Sequence, residues 1–263
     1  MTDILKRNNV KIIGNGTQVI IFAHGFGCDQ NTWRYITDTF TNDYKLVLFD
    51  YVGAGKSDLT AYDAARYSSL HGYAEDVLDI CSTLNIKEAI FVGHSVSSMI
   101  GLLAAVKQPS YFRKLIFLGP SARYINDKNY TGGMEQEDLD ALFDVMDSNY
   151  LGWSASLAPA IMGNPERPQL GEDLANSFCA TNPDIAKDFA RVTFLSDNRK
   201  ELSLLQVQSL TLQCAEDMLA PEVVGKYINE NTPGNTFIQL KATGHCPQLS
   251  APNEIIKAIK SFI

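Results

Sequence analysis

The pentapeptide Gly93-His94-Ser95-Val96-Ser97 sets a serine between a β-rich run, Ala89–Val92, and a helical pattern, Val96–Lys107. In that context it reads as a nucleophile elbow, a strained strand-to-helix turn that lifts the serine hydroxyl above a sheet. Small neighbours are needed because the strand and helix backbones nearly touch; here Ser97 stands where G-x-S-x-G has its last glycine. A serine hydroxyl is a weak nucleophile until a base activates it. Of the four histidines, His24, His71, His94 and His245, only His245 follows Ser95, and the order serine, acid, histidine makes it the base. The acid must then lie between the two, just past the end of a strand. Cys214-Ala215-Glu216-Asp217-Met218 follows the run Val207–Gln213, so Asp217 is preferred, with Glu216 as the alternative. Its task is to hold the imidazole tautomer and to stabilise the imidazolium that forms.

Acyl transfer also needs donors for the developing oxyanion. The Val96 N–H at the helix start supplies one, and the turn His24-Gly25-Phe26-Gly27 supplies the second through the Phe26 N–H. His24 is read as a brace for that turn, not as a catalytic group. An elbow aspartate would point to dehalogenase or epoxide hydrolase chemistry, and Ser95 is not one. Gly53-Ala54-Gly55-Lys56-Ser57 lacks the spacing of a phosphate-binding P-loop and reads as a tight loop after Asp50. Cys246, beside the base, has no second histidine to activate it.

These residues need a scaffold. Gln18–Ala23, Lys45–Phe49, Ala89–Val92 and Lys114–Leu118 are short, nearly continuous apolar runs, as in a parallel sheet covered on both faces. Val77, Ile80, Cys81 and Leu84, and again Met99, Leu102, Leu103 and Val106, recur at helical spacing between them. Strand–helix alternation implies right-handed crossovers and a doubly wound α/β sheet. From Ser121 to Leu205 the strand signal disappears. Leu139, Leu142, Phe143 and Met146 mark one helix there, and Ile185, Phe189 and Val192 another, opened by the cap and proline of Asn182-Pro183. Strands return at Val207–Gln213 and Thr236–Leu240, before a last helix from Asn253. The expected organisation is a core of residues 1–120 and 206–263 interrupted by a helical cap of residues 121–205.

The 263 residues carry 22 basic and 30 acidic side chains, a net charge of −8. With no basic cluster, nucleic acid is excluded as a partner. No run approaches the length of a membrane span, and the start of the chain lacks the long apolar stretch of a secretory signal. Five scattered cysteines, an odd number, suit reduced thiols in the cytoplasm. The acidic run Glu135, Glu137, Asp138, Asp140, Asp144 and Asp147 reads as a solvated helix face.

Several stretches resemble the α/β-hydrolase family over nearly the whole chain, nearest the group that holds the bacterial stress regulator RsbQ and the plant karrikin and strigolactone receptors. They are His24–Gln30, Phe49–Asp58, Gly93–Ser97, Tyr124–Asp127 and Gly244–Leu249. Asp50–Gly53 and Leu212–Ala215 look more like RsbQ; Ser97, Met99–Gly101 and Gly132–Leu139 look more like the plant receptors. The resemblance implies a cofactor-free serine hydrolase in which a four-helix cap roofs an apolar pocket. By position, Phe26, Tyr124, Met134, Trp153, Leu157, Phe194 and Met218 would line it, with Met134 and Leu157 where the plant receptors carry phenylalanine. No side chain in the sequence points to an acidic or basic substrate group, so the ligand is expected to be a small, neutral, apolar ester or lactone. Two roles follow from the resemblance: a metabolic esterase, or a slow ligand-sensing signalling protein with a protein partner, a PAS-domain serine phosphatase in the RsbQ case.

Overall fold

A computed structural model describes residues 3–263. A short helix α1 (Ile4–Arg7) leads into strands β1 (Lys11–Ile13), β2 (Gln18–Ala23) and β3 (Tyr44–Leu48). Helix α2 (Leu70–Thr83), β4 (Ala89–His94), α3 (Val96–Lys107) and β5 (Phe112–Leu118) follow. Four helices come next, α4 (Gln136–Ser148), α5 (Tyr150–Met162), α6 (Pro168–Cys179) and α7 (Pro183–Phe194), and then the single turn α8 (Arg199–Leu202). The chain closes with β6 (Gln208–Gln213), α9 (Glu222–Asn231), β7 (Asn235–Gln239), α10 (Pro247–Ser250) and α11 (Pro252–Phe262).

The seven strands form one sheet in the order β1-β3-β2-β4-β5-β6-β7, with β1 antiparallel to β3 and every other pair parallel. Successive side chains leave a strand on opposite faces. In β2, Ile21 and Ala23 therefore join α2, α3 and α9 on one face, while Ile20 and Phe22 join Trp33, Phe40 and α11 on the other. Both faces are covered, which is why the strands read as continuous apolar runs. The parallel strands, the two helical layers and the helices between β5 and β6 agree with the expected α/β architecture. β1 is an addition to it: three residues, mostly exposed, carry too little apolar signal to be read as a strand.

The chain runs from β2 outward to β3 and then returns to place β4 on the other side of β2. Ligands of open α/β sheets bind at such a reversal, beyond the carboxyl ends of the strands. Here those ends are Ala23 and His94, so the turn after β2 and the elbow after β4 are neighbours. The Gly53–Ser57 loop folds around the buried Asp50 carboxylate, which accepts the backbone N–H groups of Gln30 and Lys56 and the Asn9 side-chain amide. That is a tight structural loop, as expected, with its donors turned inward.

The elbow depends on Gly93. A Cβ there would stand 2.5 Å from the Ser97 carbonyl oxygen, at the point where β4 and α3 touch. Gly93→Ala is expected to lower Tm by about 2–12 °C, from an overpacking cost of roughly 1–3 kcal/mol. A melt indistinguishable from wild type would contradict this packing.

Candidate active site

Ser95 lies between β4 and α3 with φ 56° and ψ −124°, a positive φ that a side-chain-bearing residue rarely adopts. Its N–H donates to Leu118 O at 2.8 Å, which ties the turn to the end of β5. The hydroxyl thus held aloft lies 2.7 Å from His245 Nε2. On the far side of the ring, His245 Nδ1 lies 2.7 Å from Asp217 Oδ2. With Nδ1–H donating to the carboxylate, Nε2 is left as the acceptor for the serine proton. The Asp217 side chain is fully buried, whereas Glu216 is exposed and only its backbone carbonyl is engaged, by the Gly244 N–H. Of these two carboxylates, Asp217 is the one that reaches the His245 ring.

Asp217 Oδ1 accepts the N–H groups of Leu219 and Ala220 at 2.9 and 3.1 Å. Burial raises its carboxyl pKa, but His245 and these two N–H groups outweigh burial and hold it below the ordinary value. His245 is fixed through its backbone. Its N–H donates to Ile161 O at the end of α5, and its carbonyl accepts His94 Nε2–H at 2.8 Å. Burial, reinforced by His245, pushes His94 down to about 3, so it stays a neutral donor.

The turn after β2 is braced as its sequence suggested. His24 Nδ1–H donates to Gly25 O, leaving Nε2 to accept the Tyr51 N–H. Ser97, the departure from the glycine motif, adds a second brace. Its hydroxyl donates to His24 O, so the Tyr51 hydroxyl 2.9 Å away must donate to Ser97. One serine thus links the elbow to the Phe26 turn. The Phe26 N–H has no acceptor among the described residues, and the Val96 N–H, first in α3, has none within its helix. Both N–H groups are thus left without an internal acceptor.

The profile of the Alpha/beta hydrolase family matches residues 20–258. The chain belongs to that family. It is 40% identical over 257 residues to the Karrikin insensitive 2 receptor CA of Petunia hybrida, covering 97% of this chain and 95% of the relative. It is 37% identical to the Strigolactone esterase D14 of Arabidopsis thaliana, over 98% and 97% of the two chains. A solved hydrolase from Oleispira antarctica superposes with a TM-score of 0.96 at 40% identity, covering 99% of this chain and 96% of the other. The two curated relatives fall on the plant-receptor side of the division between motifs.

In this α/β-hydrolase chain, Phe26, Tyr124, Trp153, Leu157 and Phe194 wall a cavity above Ser95 and His245. Met218 and Met134 are corrections. The turn that gives Asp217 its two N–H bonds turns Met218 outward, 52% exposed, and brings Leu219 inward in its place. Met134 is paired to Tyr124–Asn126 by backbone hydrogen bonds and packs on the cap core beside the cavity, without lining it. The sequence reading missed Cys28, Ile161, Leu174, Phe178 and Thr193, all of which line it. Cys28 stands in the turn after β2, and the other four share the buried helical faces of α5 to α7, a signal no different from that of any cap core residue.

The cavity is small, about 20 Å³, enough for one or two waters. Trp153 and Leu157 also line a groove on the outside, between α4 and α5. These two side chains separate the cavity from solvent there. Among the described residues no helix is long and apolar enough to cross a membrane. The acidic side chains of α4 are exposed, as expected of a solvated face.

Two expectations follow. Burial pushes Cys28 and Cys81 up to about 12, and raises Cys214 and Cys246 as well, so none is a ready thiolate. A thiol reagent at pH 8 is expected to label only the exposed Cys179 rapidly, and all five cysteines after unfolding; fast labelling of Cys246 would contradict this. Burial also lowers the pKa of His24 and His94, so below pH 6.5 the unfolded chain takes up protons that the folded one refuses. Stability then drops as the pH falls below 6.5, by up to about 1.4 kcal/mol per unit from His94, with His24 adding in the same direction. Melts at pH 7 and pH 5 are expected to show Tm lower by several degrees at pH 5; an unchanged Tm would contradict the burial of these rings.

Proposed function

We propose that the chain is a serine hydrolase of small, neutral, apolar esters or lactones, with Ser95, His245 and Asp217 as its triad. The observation that carries this reading is the unbroken hydrogen-bonded series from Ser95 Oγ through His245 to Asp217, at the floor of an apolar cavity. Ser95 Oγ attacks the ester carbonyl while His245 Nε2 takes its proton. The carbonyl oxygen gains the electron pair and is held by the Phe26 and Val96 N–H groups. As the tetrahedral species collapses, the bond to the leaving oxygen breaks and His245 returns the proton to it. A water, deprotonated by His245, then attacks the acyl-enzyme and releases the acid and Ser95. Asp217 stabilises the imidazolium in both halves.

The substrate class is read from the wall. Most of its side chains are apolar or aromatic, and among the described residues no Lys, Arg, Asp or Glu lines the cavity. The relatives, a karrikin insensitive receptor and a strigolactone esterase, support a lactone-type ligand. Residues 121–205 act as a lid in this reading, since a cavity with room for one or two waters must widen to admit any ester. The same tightness favours a second role, slow turnover in ligand sensing, because product release then waits on the lid. A protein partner belongs to that role; a PAS-domain serine phosphatase would be the partner if the RsbQ-like motifs govern. Five free cysteines favour a reducing, cytoplasmic setting.

The test is p-nitrophenyl acetate hydrolysis at known enzyme concentration. Ser95→Ala is expected to lower kcat/KM at least about a thousandfold, and Asp217→Asn by about 10³–10⁴. Retention of activity in Ser95→Ala would end the proposal. Sustained turnover favours the metabolic role; a burst of one equivalent followed by slow release favours sensing. Trp153→Ala is expected to raise KM for an apolar ester about tenfold while barely changing that for a charged one. Equal changes would count against the wall assignment.

A further inference from the structure

Thr193 lies on α7 and is 1% exposed, and its Oγ1 has no hydrogen-bond partner. A helical threonine ordinarily turns its hydroxyl back to the carbonyl one turn earlier. This one does not, although it sits on the buried face of α7 with Phe189, Ala190 and Phe194. The same residue lines the catalytic cavity. A second orphan atom on that wall, His94 Nδ1, is sealed against the backbone, since a Cβ on Gly25 would stand 2.6 Å from it. Thr193 Oγ1 is therefore the buried orphan atom of a wall residue that remains for an occupant to satisfy once the cavity widens.

A buried hydroxyl without a partner costs stability, and valine would fill the same space without that cost. We infer that Thr193 is a specificity residue, which donates a hydrogen bond to a second oxygen of the substrate, apart from the ester or lactone group under attack. The preferred ligand then carries an ether, alkoxy or carbonyl oxygen across the cavity from Ser95, within an otherwise hydrocarbon frame. The inference rests on the acyl-transfer reading above, because it presumes that the carbonyl is held at Ser95.

Isosteric ester pairs test it from both ends of the substrate. On the acyl side, p-nitrophenyl methoxyacetate is compared with p-nitrophenyl butanoate. On the alcohol side, 2-methoxyethyl acetate is compared with butyl acetate, followed by acid release. In each pair an ether oxygen replaces a methylene. The quantity read is the ratio of kcat/KM within a pair, compared between wild type and variant, so that differences in intrinsic reactivity cancel.

Thr193→Val is expected to lower the ether-to-methylene ratio roughly 3- to 10-fold in at least one pair. Thr193→Ser, which keeps the hydroxyl, is expected to hold that ratio within about twofold of wild type. Without ligand, Thr193→Val is expected to melt higher by about 2–4 °C. Ratios unmoved by valine in both pairs would overturn the inference, and so would a Thr193→Val melt several degrees below wild type, since the hydroxyl would then be satisfied in the empty protein. Wild-type hydrolysis that survives Ser95→Ala would instead overturn the catalytic reading on which it rests.

Discussion

Everything at this site depends on one backbone conformation, the positive φ of Ser95 between β4 and α3. Such strain persists only where the surroundings over-determine it. Here they do so from three directions. The Ser95 N–H is bonded to the end of β5, Gly93 allows α3 to touch β4, and Ser97 is held by His24 O and the Tyr51 hydroxyl. The outcome is a hydroxyl held at hydrogen-bond distance from an imidazole brought in from a loop 150 residues away in sequence.

That loop is anchored in an unexpected place. His245 N–H donates to Ile161 O, and Asn164 Nδ2 reaches both Met162 O and Thr243 O. A Cβ on Gly244 would overlap Met162 O at 1.8 Å, so the loop lies directly on the carbonyl end of α5. Orphan carbonyls at a helix end must find donors, and the histidine loop supplies some of them. The helix that carries Trp153 and Leu157 on the cavity wall therefore also holds the backbone of the proposed base. A lid movement that shifts the end of α5 would be felt directly at His245.

Much of this was legible in the chain. The elbow declared itself because a strand run, a small-residue turn and a helical pattern stand in immediate succession. His245 followed from order alone, and Asp217 from its place just past a strand. The cap end of α7 was also readable, since Asn182 accepts the N–H groups of Asp184 and Ile185 and Pro183 opens the helix. What was not legible turns on side-chain direction. Met218 and Leu219 are adjacent and both apolar, and only the turn around Asp217 decides which faces inward. Met134 and Thr193 pose the same difficulty, because helical or loop spacing marks a buried face without saying whether it meets a cavity or other side chains. β1 escaped notice because three mostly exposed residues gain their strand geometry from β3 and not from their own pattern.

A serine nucleophile at position 95 must become covalently acylated during turnover. The most direct measurement is an acid quench of the protein during p-nitrophenyl acetate hydrolysis, followed by intact and peptide mass analysis. The account predicts a single acetyl group, located on the peptide that contains Ser95 and absent from Ser95→Ala. An acetyl group confined to lysine or cysteine side chains, with Ser95 unmodified while turnover proceeds, would contradict it.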